Sequence, residues 1–581
     1  MSAAHPDLEP LAVGFRERYL HYDELTEQLK SWADAFPDLV RLESIGKSRE
    51  GRELWLLTVG PDPDQVRPAI WIDGNMHAGE LAGSSVALAI AEEALALHLS
   101  PLDPDPLPGA VRRAAQQVLF HVLPRMSPDG AEAVLDTGRF VRSVPRDERP
   151  DRNRPRWVAA DVDGDGEALA MRQLDPTGEW VAHPEHPDVM VARTVEDEGP
   201  FYKVYPEGHV EHWDGHTIPD ADFLGDNHPD LNRNFPWEWR GEHGQQGAGS
   251  HPGSEPEAAA VIEQAARRPN LFAWLNLHTF GGVLIRPPGN QPDGEMNQRD
   301  LAFYRQVEHW AEELTGYPMV SGYDEFLYRP NEVVRGALAE WAYAERGCLA
   351  WVTELWDIFA RLEMERPKRF VDYYARMTRR DIGRLAEWDR EENAGRIFHP
   401  WRPFRHPQLG QVELGGLDGR VGLQNPSYEA LPGICERHAQ HLLRVAAMAP
   451  RVVVADIQHE RVGDATVLTA VIENRGYLPT HGVHAAKDHP FAEPLWADVI
   501  CEDGLTLAHD DEAHREVGHL EGWGRGRFDS SQAIFFQRSE GSVSRRKLRW
   551  TLHGSGALTL VIGGCRTGWI EQRVTIGEAA T

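Results

Sequence analysis

The sequence predicts an α/β fold, with a mixed, mostly parallel sheet flanked by helices, followed by a C-terminal all-β sandwich. Two observations carry this. From Tyr19 to Glu391, strand-like apolar runs alternate with segments of helical periodicity, the pattern of a sheet covered by crossover helices. From Arg451 onward the texture changes to short β-branched runs such as VVVADI and TVLTAVIE, split by turn residues, which is how a small sandwich reads. A chain of 581 residues is long enough for two or three domains.

Each element has a local reason. Asp23 to Phe36 sets Leu25, Leu29 and Trp32 on one helical face. Leu39 to Ser44 and Leu54 to Val59 read as strands, and the turn-rich GKSREGR between them closes a hairpin. Ala69 to Asp73 is a buried strand broken by Gly74 and Asn75. A helix over Leu81 to Leu99, a strand over Val118 to Leu123 and a helix near Ala131 follow. Further on, helices are expected over Ser254 to Arg267, Asp300 to Thr315 and Ala337 to Glu345, with strands over Leu271 to Leu277 and Leu349 to Thr353. Arg366 to Glu391 reads as one long charged helix, and Pro432 to Met448 as a helix with proline at its start.

The expected organisation is an N-terminal extension (1–18), an α/β domain (19–395), a connecting segment with a helix (396–449) and the sandwich (450–581). Arg146 to Pro229 is rich in Asp, Gly and Pro and poor in helical periodicity, so it reads as an insertion.

The formal net charge of −31 argues against nucleic acid, which needs a basic surface, and against an anionic membrane. It fits a self-repelling soluble surface; a preference for cationic substrates is the sharper reading. Cys348, Cys435, Cys501 and Cys565 form no CxxC pair, so buried free thiols in a reducing compartment are expected rather than a zinc knuckle or a disulfide framework. Met1 to Leu11 has no apolar signal core, and no run reaches the length of a membrane span. A cytoplasmic location is the expectation.

The chemistry gathers at strand ends, where α/β sheets form their sites. His77-Ala78-Gly79-Glu80 follows the first buried strand and its Gly-Asn break. A histidine and a glutamate three residues apart at such a turn can reach one ion together. His278 ends a second apolar strand, in LNLHT; alone it reads as a satisfied core histidine. Together the two histidines and the glutamate make the three-ligand set of catalytic zinc, with one position open, although the ligand types leave other divalent ions open.

Glu354 sits in the apolar run WVTELW. Either it pairs with an arginine or it serves as a general base. Arg233, in DLNRNF, offers a planar fork for a carboxylate, and Asn232 adds amide donors; a plain surface turn is the other reading. Asp161 to Glu167 (DVDGDGE) mimics the start of a calcium loop, but Arg172 stands at the twelfth position where that loop needs a glutamate. A sharp Asp-Gly turn and a Ca2+ site at Asp161, Asp163 and Asp165 both stay open.

In order, HAGE, SPDG, DLNRNFP, LNLHT and VTELW resemble the motifs of the zinc carboxypeptidases related to pancreatic carboxypeptidase A, over roughly Tyr19 to Glu391, in the long form of bacterial members. The resemblance implies one zinc ion held by His77, Glu80 and His278. It makes Glu354 the base that takes a proton from the attacking water and hands it to the leaving amine. Asn232 and Arg233 would clamp the substrate's terminal carboxylate. Arg142, thirteen residues beyond Asp129, would polarise the scissile carbonyl, with the Arg-rich run from Arg139 to Arg156 as alternatives. The family's capping tyrosine counts to Glu332, with Tyr328 or Tyr323 as replacements by loop shift. The same count puts Ala339 at the base of the specificity pocket, which favours an uncharged side chain.

The expected function is hydrolysis of a C-terminal peptide bond in a peptide with a free carboxylate. Two readings compete with it. One is a zinc amidohydrolase of N-acyl amino acids or cell-wall peptides, and the other is a non-catalytic peptide-binding protein on the same scaffold.

Overall fold

The computed structural model describes residues 5–100, 107–146, 153–221, 229–329, 332–490, 492–509, 513–526 and 539–577. At its centre is an eight-stranded sheet in the order Val40–Lys47, Glu53–Val59, Leu119–Leu123, Ala69–Gly74, Leu271–Thr279, Leu349–Leu355, Val283–Arg286 and Met319–Ser321. The four strands from Leu119–Leu123 to Leu349–Leu355 are parallel. The Val40–Val59 hairpin is antiparallel, as is Val283–Arg286 against Leu349–Leu355. Ala69–Gly74 and Leu271–Thr279 are buried at every position, which is why they read as largely apolar runs.

Helices Tyr22–Ala35, Ala82–Ala96, Pro256–Arg267, Gln298–Thr315 and Leu338–Ala344 pack against this sheet. The expected α/β architecture is the one observed. The expected single helix over Arg366 to Glu391 is instead two, Asp372–Ala375 and Arg379–Glu392. The break has a cause: Thr378 caps the second helix, accepting from Asp381 N at 3.3 Å while the Asp381 carboxylate accepts from Thr378 N at 2.9 Å. Strands Val283–Arg286 and Met319–Ser321 escaped the sequence reading because so few residues carry no period.

Of the 146–229 stretch, residues 147–152 and 222–228 lie outside the described residues. The rest is β structure. Ala170–Leu174, Trp180–Ala182, Met190–Ala192 and Phe201–Pro206 form a six-stranded sheet with Phe398–His406 and Gly410–Leu417. Trp157, Met171, Val210, Val412 and Leu414 give this part its own small core. Helix Leu431–Ala446 belongs to the main core, burying Ile434, Cys435, Leu442 and Leu443 there.

The C-terminal part is a sandwich of two four-stranded antiparallel sheets. Inward residues alternate along its strands and meet in a core around Leu468, Ile472, Trp550, Leu552, Leu560 and Ile562. Arg566, buried, fastens it to the first domain by donating to the carbonyls of Leu271 and Arg346. None of the four cysteines is in a disulfide. Cys348 and Cys435 are buried as expected, whereas Cys501 and Cys565 are half-buried. Among the described residues no helix is long and apolar enough to cross a membrane.

Candidate metal centre and binding cleft

Three strands end together. The register pairs Leu277 with Gly74 and His278 with Glu354. At Gly74 a Cβ would lie 2.5 Å from the carbonyl oxygen of Gly83, so glycine is needed for the chain to turn here. Asn75 adopts φ 56°, a left-handed state that asparagine tolerates. Its amide donates to the carbonyls of His77 at 2.8 Å and Ala78 at 3.1 Å, shaping the His77–Glu80 turn.

His77 Nδ1 lies 2.7 Å from Glu80 Oε1, and His278 Nδ1 lies 2.9 Å from Glu80 Oε2. The two Nδ1 atoms are 3.1 Å apart. All three residues are buried, with their ligand atoms within 4.8 Å of one another. The far nitrogens are taken: His77 Nε2 faces Asp230 Oδ1 at 3.2 Å, and His278 Nε2 faces Asn276 Oδ1 at 2.6 Å. Acceptors there hold the proton on Nε2 and turn both Nδ1 lone pairs toward Glu80. Two lone pairs and a carboxylate converging in a buried spot need a cation among them, so the donor set fits zinc. Burial alone would raise the Glu80 carboxyl, and positive charge beside it, which the two histidines carry when protonated and a cation would otherwise supply, holds it below the usual carboxylate range.

Asn276 is itself pinned. Its Nδ2 donates to Asp73 Oδ1 at 2.5 Å, and Trp274 Nε1 donates to the other oxygen at 2.7 Å. Burial pushes the Asp73 carboxyl up to about 6 against the pull of these donors.

The Arg142 loop closes on the metal turn. Ala78 N donates to the Arg142 carbonyl at 2.9 Å, and Gly130 permits the approach, since a Cβ there would meet Ser143 O at 1.9 Å. The Arg142 guanidinium donates to Asp230 Oδ2 at 3.1 Å and lies 3.8 Å from Glu80. Asp230 thus serves His77 and Arg142 at once. Burial raises its carboxyl, but Arg142, Arg233 and His77 outweigh that and hold it well below the usual range.

His77, Arg142, Asn232, Arg233, His278, Tyr328, Ala339 and Glu354 all line one cavity of about 130 Å³. Arg233 donates to the Asn232 carbonyl at 2.8 Å, and Asn232 Oδ1 accepts from Leu338 N at 2.9 Å. Burial pushes Glu354 up to about 8; His278 and Arg142 pull it down and Glu80 pushes it up. A divalent cation beside it would lower it again.

Other expected positions lie elsewhere. Glu332 is exposed and 3.4 Å from Arg329, and Tyr323 does not line the cavity, whereas the largely exposed Tyr328 does. Ala339 shares its wall with Glu340, which accepts from Gly289 N at 2.8 Å and is pushed by burial up to about 7. The wall is therefore less apolar than Ala339 alone implied. Of the alternative arginines, Arg146 is engaged by Glu255 at 2.7 Å and Arg156 by Glu211 at 2.6 Å. The Asp161–Glu167 run is a turn. Asp161 accepts from Gly164 N at 2.7 Å and Gly166 N at 2.9 Å, and Asp165 pairs with Arg402. Those bonds leave the calcium reading without support.

Sequence reading missed Asp230, Asp73 and Asn276. The signal existed for the last two: a polar side chain inside a fully buried strand demands a partner.

The family model described as "Zinc carboxypeptidase" matches residues 25–172 and 225–374, and one described as "Domain of unknown function (DUF8731)" matches residues 451–575. Carboxypeptidase M of Mus musculus is 32% identical over 130 residues, 22% of this chain and 28% of that protein. Carboxypeptidase B of Astacus astacus is 28% identical over 165 residues, 28% of this chain and 45% of that protein. The chain thus spans less than half the length of these relatives. Among solved structures, carboxypeptidase A from Helicoverpa armigera aligns with TM-score 0.38 and 17% identity, covering 59% of this chain and 65% of that one.

Proposed function

Because this chain belongs to the zinc carboxypeptidase family, we propose that it hydrolyses the C-terminal peptide bond of a peptide with a free carboxylate. One observation carries the reading: His77 and His278 line one cavity of about 130 Å³ together with Glu354 and Arg233, and Glu80 joins those two histidines at 2.7 and 2.9 Å.

His77, Glu80 and His278 would hold zinc, which acts as a Lewis acid and makes water a stronger nucleophile. Arg233 and Asn232 hold the substrate's terminal carboxylate, so the chain end is selected over internal bonds. Arg142, fixed by Asp230, presents a preorganised cation to the oxyanion that develops on the scissile carbonyl. Glu354 accepts a proton from the attacking water and delivers it to the leaving amine. Peptide binding at the rim falls to Tyr328.

The test is a panel of N-blocked dipeptides with free or amidated C-termini, run beside N-acyl amino acids and cell-wall peptides. Cleavage of the free acids alone, abolished by chelation and restored by zinc, is expected. Cleavage restricted to acyl amino acids or cell-wall peptides would replace the reading with an amidohydrolase, and binding without turnover would replace it with a peptide-binding protein.

A further inference from the structure

Outside the cleft, two loops of the sandwich bring together a second set of nitrogen and oxygen donors. The loop after strand Ala465–Asn474 carries His481 and His484, and the segment after His514–Gly518 carries His519 and Glu521. His481 Nε2 lies 3.8 Å from Glu521 Oε1, and His484 Nε2 lies 3.8 Å from Glu521 Oε2. One donor atom from each of His481, His484 and Glu521 falls within 4.8 Å of the others.

The His481 side chain is 0% exposed. Its Nδ1 faces the Val483 carbonyl at 3.3 Å, which keeps the proton there. Its Nε2 has no hydrogen-bond partner and so turns a buried lone pair toward a carboxylate. His519 stands edge-on to His481 with ring centroids 5.3 Å apart, and its Nδ1 is also buried without a partner. A backbone carbonyl on one ring nitrogen and a free lone pair on the other is the arrangement of a metal-ligating histidine. Separations of 3.8 Å are too long for hydrogen bonds. They are close to what two ligands keep across one ion when each sits roughly 2.0–2.2 Å from it.

Lys487 Nζ at 3.5 Å and Arg299 at 3.6 Å reach the same carboxylate. Their side chains are 43% and 54% exposed and free to swing into water, whereas His481 has nowhere else to turn.

We propose that His481, His484 and Glu521 hold a second divalent cation of the zinc class, with its open position toward His519. Its place gives it a role. The backbone amides of His484 and Ala485 donate to Asp300 at 2.7 and 2.9 Å, and the His484 ring stacks on Phe303 at 5.8 Å. Both partners lie on helix Gln298–Thr315 of the first domain. An ion here joins two sandwich loops at the point where they dock, so its binding stabilises the docked state.

The test counts zinc in the full chain after exhaustive dialysis. The wild type is expected to hold about two ions, His481→Ala about one with peptidase activity kept, and the double variant His77→Ala, His278→Ala about one without activity. In the double variant, cobalt in place of zinc is expected to give the d–d absorption of a nitrogen-ligated site, lost on adding His481→Ala. The proposal is overturned if the wild type holds a single ion and the double variant, natively folded by circular dichroism, holds none. The wild-type count and the double variant decide the matter even if His481→Ala does not fold. Two ions without peptidase activity would sink the proposed function and leave this site standing.

Discussion

Asn276 places its side-chain oxygen 2.6 Å from Nε2 of His278, and that contact decides which ring nitrogen turns toward Glu80. The amide cannot flip, because its other end donates to Asp73. Orienting partners of this kind typically change metal affinity 10- to 100-fold. Asn276→Leu is therefore expected to weaken zinc binding by about that factor in a chelator competition, while Asn276→Asp keeps an acceptor and loses less. Equal zinc affinity in wild type and Asn276→Leu would remove Asn276 from the account.

Arg233 is expected to read the substrate's carboxylate. Leaving one partner of a buried charge pair alone costs about 2–5 kcal/mol, so Arg233→Met should lower kcat/KM on a free-acid peptide by a factor of roughly 30 or more. The C-terminally amidated peptide should be poor for the wild type and no poorer for the variant. A uniform fall on both substrates would mean that Arg233 supports the fold and not recognition.

Tyr328 is exposed and lines the cavity, while Glu332 pairs with Arg329. Tyr328→Phe removes one neutral hydrogen-bonding group, worth about 0.5–1.5 kcal/mol, so KM should rise by roughly 2- to 12-fold with kcat little changed. Glu332→Ala should change neither. If instead Glu332→Ala carries the KM effect, the cap has been assigned to the wrong residue.

Glu257 is fully buried, and neither of its carboxylate oxygens has a hydrogen-bond partner. Burial, with Glu255 and Asp129 adding to it, pushes its carboxyl from 4.5 up to about 7 against the pull of Arg146. Above about pH 4.5 the unfolded chain releases this proton while the fold retains it. Stability therefore falls as pH rises to about 7 and stays lowered beyond, by about 3 kcal/mol in all at 1.36 kcal/mol per pKa unit. Glu257→Gln should raise the unfolding midpoint clearly at pH 8 and hardly at pH 5. A variant equally stabilised at both values would show that ionisation is not the cause.

Much of the cleft could be read from the sequence, because its parts stand where strands stop. His77 and Glu80 follow a Gly-Asn break, His278 ends an apolar strand, and Glu354 interrupts another. Those positions need only local pattern. Asp230 was invisible as a partner of His77 because the two are 153 residues apart, and an aspartate before Leu-Asn reads as a turn. Asp73 and Asn276 were visible as polar residues in apolar runs, but their mutual bond follows from strand register, which periodicity does not supply. The break before Arg379 was likewise in the letters, as Thr378 three residues before Asp381, and was overridden by an unbroken charge pattern. The strands of the 156–211 region are short and partly polar, and they close on Gly410–Leu417, far along the chain. No local pattern announces such a sheet.

The central claim is that Glu354 moves the proton at a zinc site built from His77, Glu80 and His278. Glu354→Gln keeps the shape and removes the base, so zinc measured per chain should equal the wild type while turnover of a free-acid dipeptide falls by about 100- to 10,000-fold. Zinc retained with turnover within a few-fold of wild type would contradict the account.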